Sequence, residues 1–467
     1  MALGCPEGRD LVLPVRLRLT FTGKIFISHC GIAPLVAHRS SDSHEVMVNT
    51  QRTYDLVLLG ATGFTGRLGV EYLHARYSGS PLRWLATGRD PTRLESLRSD
   101  LGLDSAQTAI CNINDAAALD ALVQSTSVIV NFAGTPFFDK AMPVVAACAR
   151  HGTCYVDISG EVPLHRATYD AYHEQACATG ALIVHQCGYD SVPSDLGAFL
   201  AVRELRERFG VATQELKSFA RKSKGGVSGG TIATALLMMT TSPKKVPGAE
   251  AASALGSYAL EPKSDLPAAT RKDTNDTGGG LIGFDKRAKT WHMPFVMASV
   301  NAPVVRKSAV LLGYGGPGAR PSYAEVQSMP SRAAALGGTA GLVMLGIALV
   351  VSPIRWLLFA CGALPKPGEG PSKELQDTGY FHFSTLGVGC RADGEECKVM
   401  AHVRSGDAGD PGYKATARMV VEAALCGALE RSACAAGGVL TPASAFGMTL
   451  AERLRKSGME LSTEVIE

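Results

Sequence analysis

The chain has 467 residues, a formal net charge of +3 at pH 7, 46% hydrophobic residues and 19% charged residues. These values are typical of a soluble globular protein with two or three domains, and without a basic run they predict no nucleic-acid partner. The 12 cysteines are scattered, with no C-x-x-C pair and no Cys/His cluster at zinc-ligand spacing. We therefore expect reduced thiols in a reducing compartment and no metal site.

Residues 1–50 do not share the pattern of the sequence that follows. Basic residues lie among apolar ones in the first 24 positions, as in a mitochondrial or plastid targeting segment, but the early acids Glu7 and Asp10 are unusual for one. Met47 lies just before the first predicted strand, so a start at Met47 is as consistent with the sequence as a start at Met1. We predict a leader that is either poorly ordered or a targeting segment.

An apolar run at Tyr54–Leu59 opens the first regular pattern of the chain. Three glycines spaced three apart follow it, and a helix-compatible segment comes next. In this order the first glycine turns the chain, the second lets backbone approach phosphate, and the third lets helix and strand pack closely. The pattern favours a pyrophosphate site over a plain glycine turn. The predicted site residues are Gly60, Ala61, Thr62, Gly63, Phe64, Thr65 and Gly66.

Strand-like and helix-like segments alternate from here to residue 186. We predict strands at 54–59, 82–87, 108–111, 127–132, 154–157 and 181–186, and helices at 64–77, 91–101, 115–123, 140–151 and 163–179. This alternation predicts an α/β fold whose first domain is a Rossmann domain with a doubly wound, mostly parallel sheet. A ligand should then lie at the carboxyl ends of the strands, beside the first strand.

The second strand ends in Gly88-Arg89, where an NAD-selective site usually carries an acid that binds the ribose 2′-hydroxyl. An arginine can instead pair with a 2′-phosphate, and Arg93 lies one turn further along. We therefore favour NADP(H) over NAD(H), with Arg89 at the 2′-phosphate. The alternative is a solvated surface arginine.

The turn after the fourth strand contains Asn131 and Gly134, with a proline two residues later. Glycine and proline at the end of a strand suit close passage of the nicotinamide half of the cofactor. We expect Asn131 and Gly134 to border the nicotinamide. A simple strand-to-helix turn explains the same residues equally well.

The turns after the fifth and sixth strands carry acids that should face one cleft. Paired acids beside a tyrosine can bind a polar group or pass a proton, and Tyr189 is the first candidate for a proton donor. The candidate catalytic residues are Asp157, Glu161, Tyr189 and Asp190. The alternative is that the turns only cap helices, with N-caps at Ser159 and at Ser194 or Asp195.

The pattern changes near residue 196. A helix at 196–209 and a strand at 215–219 lead to a glycine-rich turn, Lys222–Thr231, which predicts a second anion-binding pocket at the start of an apolar helix. Residues 242–290 are predicted to be loop or lid, and 291–310 strand-like. We then predict strands at 379–389 and 396–404, a helix at 414–431 and a last helix that ends near Ser457. The predicted domains are a leader (1–50), the Rossmann domain (51–195), a second α/β domain (196–412) and a C-terminal helical return (413–467).

Residues 333–354 contain no charge and lie between Arg332 and Arg355, and apolar sequence continues to residue 361. A helix of about 20 apolar residues is long enough to cross a bilayer. Crossing a membrane is one interpretation, and lying in a membrane or lipid surface is another. A buried core helix or a homodimer helix is the third.

Seven motifs in chain order, the glycine loop among them, extend over most of the chain. They are Gly60-Ala-Thr-Gly-Phe-Thr-Gly66, Ala86-Thr-Gly-Arg89, Tyr155-Val-Asp-Ile-Ser-Gly-Glu161, Cys187-Gly-Tyr-Asp-Ser-Val-Pro-Ser194, Gly370-Pro-Ser372, Gly409-Asp-Pro-Gly-Tyr413 and Gly437-Gly-Val-Leu-Thr-Pro442. Together they resemble the saccharopine dehydrogenase-like oxidoreductase family, including its trans-acting enoyl reductase branch. The resemblance covers residues 54–460.

The resemblance implies a Rossmann domain, a second inserted α/β domain and nicotinamide-dependent reduction. It also implies a lipid-linked substrate in lipid or glycolipid synthesis, and association with the cytoplasmic side of a membrane or lipid droplet through the apolar segment. Two alternatives stay open. One is an amino-acid dehydrogenase of saccharopine type, which needs cations around substrate carboxylates; the candidates are Arg166, Arg221, Lys222 and Lys224. The other is a non-catalytic nucleotide-binding protein of lipid surfaces.

Overall fold

The structure is a computed structural model that describes residues 52–134, 137–226, 246–262, 281–362 and 369–467, with residues 228, 229, 231, 232, 234, 236, 364 and 365 between these ranges. The predicted leader and much of the helix predicted after Thr231 lie outside the described residues. The described part falls in one compact unit, and the predicted domain boundaries stay predictions.

The strands and helices alternate as far as residue 209 and then become mixed. The strands are β1 (Tyr54–Leu59), β2 (Trp84–Gly88), β3 (Thr108–Ile110), β4 (Thr126–Asn131), β5 (Cys154–Asp157), β6 (Leu182–Val184), β7 (Thr213–Lys224), β8 (Gly283–Asp285), β9 (Thr290–Pro294), β10 (Ser322–Met329), β11 (Tyr380–Cys390), β12 (Glu396–Arg404), β13 (Gly438–Leu440) and β14 (Glu460–Ile466).

The described helices follow the same chain order. They are α1 (Phe64–Tyr77), α2 (Pro91–Leu101), α3 (Ala116–Gln124), α4 (Phe138–His151), α5 (Val162–Thr179), α6 (Val192–Phe209), α7 (Ala249–Leu255), α8 (Ala298–Leu311), α9 (Arg332–Val350), α10 (Ser352–Ala360), α11 (Lys373–Thr378), α12 (Thr416–Leu429) and α13 (Pro442–Lys456).

The first sheet has seven strands in the order β13-β6-β5-β4-β1-β2-β3, and every described pairing in it is parallel. Four leucine and valine side chains of β1 are almost completely buried, as expected for a central parallel strand covered on both faces. Asp115 caps α3 through its carboxylate, as predicted. The predicted α/β fold with a Rossmann sheet is confirmed.

The second sheet is mixed, in the order β14-β12-β11-β7-β10-β9-β8. Strand β7 pairs parallel with β10 and antiparallel with β11. Helix α6, which follows the last internal strand of the Rossmann sheet, approaches β11 so closely that a Cβ at Gly197 would be 2.7 Å from the Thr385 hydroxyl. This helix therefore joins the two sheets, with most of its side chains buried.

Two predictions about local structure were wrong. Residues 291–310 are strand-like only as far as Pro294, because the following segment forms α8 with Pro303 inside it. Much of α8 is buried, and tertiary burial outweighs the low helix propensity of proline. The region predicted to be loop or lid contains α7, β8 and the start of β9, and its residues 263–280 lie outside the described part.

Two C-terminal strands were not predicted. Strand β13 has three residues and pairs with β6 at the edge of the Rossmann sheet, and β14 pairs with β12 in the second sheet. Both strands depend on partners far away in the sequence, so their local pattern is weak.

Helices α9 and α10 carry the uncharged segment, and they are exposed. Only 6% of the most apolar 18-residue window of α9 is buried, and its mean hydropathy is 2.0. By length and composition α9 could cross a membrane. The exposed apolar side chains are Leu336, Val343, Met344, Leu345, Ile347, Val350, Val351, Ile354, Trp356 and Leu357. Within this chain α9 is therefore not a core helix.

Candidate active site

The glycine loop joins β1 to α1 at the carboxyl edge of the sheet. Gly60 has a φ of +83°, and a Cβ there would be 2.7 Å from the backbone nitrogen of Ala133. A Cβ at Gly66 would overlap the carbonyl oxygen of Gly60. Both positions therefore require glycine, the first for its turn and the third for the close approach of helix to strand.

The N-terminus of α1 has the properties of an anion site. Its N-cap is Gly63, no side chain caps it, and no acid lies in its first turn. The N–H groups of the first turn and the positive end of the helix dipole are therefore available to a pyrophosphate. The loop of residues 60–66 fits a dinucleotide.

Arg89 is exposed immediately after β2, and Gly88 before it packs against the side chain of Thr62 in the glycine loop. The neighbouring acid, Asp90, is already used, because its carboxylate accepts hydrogen bonds from the backbone nitrogens of Thr92 and Arg93 at 3.0 and 3.1 Å. This acid caps α2. A cation, rather than an acid, is therefore the group that faces solvent at the predicted ribose position.

Asn131 lies at the end of β4 and is completely buried. Its amide nitrogen donates to the Tyr155 hydroxyl at 2.9 Å, and its amide oxygen accepts from the Ala133 nitrogen at 2.9 Å. Gly134 has a φ of +102°, and a Cβ there would be 2.7 Å from the Lys140 Cβ. Asn131 therefore stabilises the turn through the hydrogen bond from the Ala133 nitrogen. Its contact with a nicotinamide, and that of Gly134, stay predictions.

Asp157 is buried and accepts five hydrogen bonds. Its Oδ1 accepts from the backbone nitrogens of Ser159 and Gln186 at 3.1 Å each and from the Ser159 hydroxyl at 3.0 Å. Its Oδ2 accepts from the Tyr155 hydroxyl at 2.9 Å and from His185 Nδ1 at 2.7 Å. All of its acceptor capacity is used inside the protein. Asp157 therefore holds the ends of β5 and β6 together.

Glu161 is also buried, and its Oε1 accepts from the backbone nitrogen of Phe137 at 2.9 Å. It fastens the turn after β4 to the turn after β5. Ser159 donates to Asp157 and does not cap α5, and Ser194 lies inside α6, where it donates to Glu325 at 3.0 Å. The capping alternative for these two serines was wrong, because both helices start elsewhere.

Asp195 also lies inside α6 and does not cap it. Its carboxylate accepts from the Ser308 hydroxyl at 2.6 Å and from the backbone nitrogen of Ala443 at 2.8 Å. The second of these bonds satisfies the Ala443 N–H group in the first turn of α13, which has no acceptor within the helix. This acid therefore joins three helices, and the N-cap role considered for it at α6 was wrong.

Asp190 differs from the other acids in having no hydrogen-bond donor among the described residues. Its carboxylate lies against Gly160, where a Cβ would be 2.9 Å from Asp190 Oδ2. Burial raises its pKa to about 6, and no neighbouring group opposes that shift. Of the four candidate catalytic residues, this one has a reactive group that is not already used by the fold.

Tyr189 lies beside Asp190 and packs its ring edge-on against Phe381 and Phe383, with centroids 5.2 and 5.8 Å apart. Its backbone nitrogen donates to the Thr416 hydroxyl at 3.0 Å. Burial raises the pKa of the phenol, so the hydroxyl keeps its proton throughout the physiological range. The residue fixes the turn that carries Asp190, and its role as a proton donor stays a prediction.

Tyr413 was not predicted as a site residue. Its ring contacts Phe64 of the glycine loop edge-on, with centroids 5.2 Å apart, and its hydroxyl is hydrogen-bonded to the Ser228 nitrogen and to the Thr231 hydroxyl. Burial raises its pKa, and the charge of Asp190 contributes. Tyr413 thus connects the glycine loop, the turn at 228–231 and the carboxyl group. The sequence feature that could have identified it is the motif Gly409-Asp-Pro-Gly-Tyr413, which ends in this tyrosine.

The glycine-rich turn Lys222–Thr231 was predicted to bind an anion, but its first residues, Lys222 to Lys224, belong to β7. The Ser228 hydroxyl accepts from the backbone nitrogen of Thr231 at 3.3 Å, as an N-cap does. The anion pocket stays a prediction.

Comparison with known proteins identifies the family. A putative trans-acting enoyl reductase of Mycobacterium tuberculosis is 36% identical over 431 residues, which are 89% of this chain and 99% of that protein. The chain belongs to the saccharopine dehydrogenase-like oxidoreductase family, in its trans-acting enoyl reductase branch. A trans-acting enoyl reductase of Mycobacterium bovis is 34% identical over 443 residues, with the same coverage.

Two further comparisons concern the cofactor domain and the fold. The family model of the saccharopine dehydrogenase NADP binding domain matches residues 56–184. The apo saccharopine dehydrogenase (L-Glu forming) of Saccharomyces cerevisiae aligns with a TM-score of 0.49 at 13% identity, over 88% of this chain and 100% of that one. The predicted family is confirmed, and the protein is an NADP-dependent oxidoreductase.

The unpartnered carboxyl predicts a stability effect with a definite pH dependence. The folded-state pKa of Asp190, about 6, lies above the ordinary 3.8, so the folded protein loses stability as pH rises from about 4 to 6 and does not regain it above 6. Asp190→Asn should therefore increase the free energy of unfolding by about 1–3 kcal/mol at pH 8, with the gain vanishing near pH 4. Urea unfolding at both pH values measures it.

The exposed Asp393→Asn is the matched control and should change stability by less than about 0.5 kcal/mol at either pH. Equal stability of Asp190→Asn and the wild type at pH 8 would show that the carboxyl group is solvated or paired.

Proposed function

We propose that this protein is an enoyl reductase that uses NADPH to reduce the C=C bond of a lipid-linked α,β-unsaturated acyl group at the surface of a membrane or lipid droplet. The observation that carries the proposal is Asp190, a carboxyl group with a raised pKa that lies against Gly160 and has no hydrogen-bond donor among the described residues. When bound, NADPH supplies a hydride to the β-carbon. The protein must then orient the acyl group and give a proton to the α-carbon.

Asp190 is the proton donor in this proposal. A carboxyl group with a pKa of about 6 is partly protonated near neutral pH and exchanges protons readily. Tyr189 precedes it in the same turn, and Asp157 fixes the start of that turn through the Gln186 nitrogen. Glu161 fixes the turn that carries Gly160, against which Asp190 lies. Tyr189 as the donor is the competing assignment.

The cofactor residues follow from the loop geometry. The first-turn N–H groups of α1, with residues 60–66, would hold the pyrophosphate, and Arg89 would pair with the 2′-phosphate. The capping role of Asp90 supports this choice, since no free acid remains there to favour a 2′-hydroxyl. Asn131 and Gly134 would border the nicotinamide ribose.

The exposed helix pair α9 and α10 supports a lipid surface. Both flanking strands, β10 and β11, pair with β7, so the segment leaves and rejoins one sheet and both its ends lie on the same side of any membrane. A single crossing is therefore incompatible with this connection. The first turns of α9 lie against β9, and only about 12 residues, or roughly 18 Å, extend further.

Arg355 determines how deep the helix pair would sit. Its guanidinium donates to the Leu349 carbonyl at 2.9 Å and the Ser352 hydroxyl at 3.3 Å, so a positive charge lies at the bend between the two helices. A charge is costly at the centre of a bilayer and stable among headgroups. We propose that α9 and α10 lie in the interface of the cytoplasmic leaflet. Targeting by residues 1–50 stays a prediction.

The two rival functions have less support. An amino-acid dehydrogenase needs free cations for substrate carboxylates, but Arg166 is buried and bonded to Asp170 and to the carbonyls of Ala259 and Glu261. The described contacts of Arg221 and Lys224 are with Ser384 and Thr378. A non-catalytic protein has no need of Asp190, whose desolvated carboxyl group has no hydrogen-bond donor among the described residues and lowers stability.

The first test is NADPH consumption with long-chain enoyl lipids, followed at 340 nm against saccharopine as the rival substrate. If Asp190 donates the proton, kcat should be flat below about pH 6 and fall about tenfold per pH unit above it. Asp190→Asn should lose at least about 100-fold in kcat while binding NADPH normally. A flat profile from pH 5 to 9, with a comparable loss in Tyr189→Phe, would transfer the role to the tyrosine.

The second prediction concerns cofactor choice. Arg89→Ala should weaken NADPH binding by about tenfold, since one exposed charge-assisted pair is lost, and leave NADH binding unchanged. Fluorescence titration measures both constants. Arg98→Ala, at the other end of α2 and paired with Glu95, is the control. Tighter binding of NADH than NADPH by the wild type would contradict the assignment.

The third prediction concerns the helix pair. The triple substitution Met344→Glu, Trp356→Glu, Leu357→Glu changes only exposed side chains, so the melting temperature should hold while co-flotation with phosphatidylcholine vesicles falls at least about tenfold. Ile110→Glu alters an exposed apolar residue of β3 and is the control. If the wild type does not float and the triple variant converts a dimer to a monomer in light scattering, the face is a homodimer interface instead.

A further inference from the structure

The exposed helix pair and the catalytic carboxyl group lie at the same end of the second sheet. Strand β10 ends at Met329, just before α9, and the parallel neighbour β7 ends at Lys224, just before the turn that reaches Tyr413. Adjacent strands lie about 4.8 Å apart. The helix pair and the proposed reaction site therefore lie close together.

Apolar side chains bridge that interval. In α9, a Cβ at Gly338 would overlap the Met293 sulfur, so α9 and β9 are in direct contact there. One residue past β9, the Phe295 ring lies edge-on to Phe383 with centroids 5.7 Å apart, and Phe383 contacts Tyr189 in the same way. Apolar contacts are therefore present at both ends of the interval, with Met293 against α9 and with Phe295 and Phe383 next to Tyr189, the neighbour of Asp190.

A second line of contact reaches the carboxyl group itself. Val300, in the first turn of α8, and Asp190 lie beside the same glycine, Gly160. A Cβ built at Gly160 would be 3.8 Å from the Val300 side chain and 2.9 Å from Asp190 Oδ2. Between Phe295 and Val300, the Val296 side chain is 61% exposed. We call Met293, Phe295, Val296 and Val300 the apolar strip.

The segment that carries the strip contains no charged side chain. Residues 290–305 contain no Asp, Glu, Lys or Arg, and their one histidine, His292, is buried with a pKa lowered by that burial. The strip is also fixed in position. Asn301 accepts from the Ser191 hydroxyl at 3.2 Å and donates to Glu325 at 2.8 Å, which locks the start of α8 against the start of α6.

We propose that the apolar strip guides the acyl chain of a membrane-resident enoyl lipid from the interface to Asp190. The inference rests on the proposed function and specifies its substrate: an unsaturated lipid that stays in the leaflet, rather than an acyl group carried through water on a soluble carrier. The strip begins where Met293 meets α9 and ends at Val300, beside Gly160 and Asp190, and an acyl chain is the ligand whose chemistry matches an uncharged surface.

A labelling experiment tests the route without requiring turnover. The full-length protein with NADPH is bound to phosphatidylcholine vesicles that contain a phosphatidylcholine with a diazirine in one acyl chain, irradiated and digested. Trypsin cleaves after Lys289 and Arg306, so the strip is released as one peptide, separate from the peptide that starts after Arg332. We expect label in both peptides. Label confined to the helix peptide would overturn the route.

A kinetic experiment uses two substrates on one variant. Long-chain enoyl ester in vesicles is compared with a short, water-soluble enoyl thioester of pantetheine. Val296→Asp places a charge on the strip, and the ratio of vesicle-borne to soluble turnover should fall at least about tenfold. Ile110→Asp, at an equally exposed site on β3, should leave the ratio unchanged. An unchanged ratio in Val296→Asp would overturn the route.

The two experiments separate failure of the route from failure of the reaction. Absence of turnover with both substrates contradicts the reductase proposal, and the labelling result then still decides whether lipid reaches the strip. Turnover of the soluble thioester alone, with label only on the helix pair, retains the reductase and excludes delivery from the leaflet.

Discussion

The site depends on the hydrogen bonding of one buried carboxylate. Asp157 loses its water on folding, and a charge in that position is tolerated only because five donors replace the water. One donor is the backbone of Gln186, whose φ of +62° is strained for a residue with a side chain. That strained residue starts the turn towards Asp190. The bond from the Gln186 nitrogen to Asp157 therefore stabilises a strained backbone conformation, and that conformation directs the chain towards Asp190.

Environment, and not residue type, separates the roles of the acids in the cleft. Asp157 and Asp190 follow neighbouring strands and are equally plausible in the sequence, but from the described residues the first accepts five hydrogen bonds and the second none. Glu161 is bonded to the backbone of Phe137. Asp190 is the acid for which the described residues supply no hydrogen-bond donor, and the burial that raises its pKa also lowers the stability of the fold. A group with this combination is expected where catalysis, rather than folding, determines the residue.

The sequence predicted the Rossmann half well because its signals are local. Glycines and strand periodicity located β1 to β6 within a few residues, and the assignment of Arg89 to the 2′-phosphate stays a prediction. Helix α8 was missed because it contains Pro303, which predicts against a helix. Strand β13 was missed because three residues give a weak local pattern, and both β13 and β14 depend on partner strands far away in the sequence. Tyr413 was missed for the same reason: its contact with Phe64 joins residues about 350 positions apart. The predicted contacts of Asn131 and Gly134 with cofactor stay predictions.

The second sheet explains why an apolar, exposed segment is compatible with a folded enzyme. Because β10 and β11 both pair with β7, the segment between them is an excursion from an intact sheet, and it can present apolar side chains without breaking a backbone hydrogen bond of the core. The parallel pair of β7 and β10 has a second consequence, since the two strands end side by side. One leads into the site and the other into the helix pair, so the connection that would hold the protein at a lipid surface also turns its active site towards that surface.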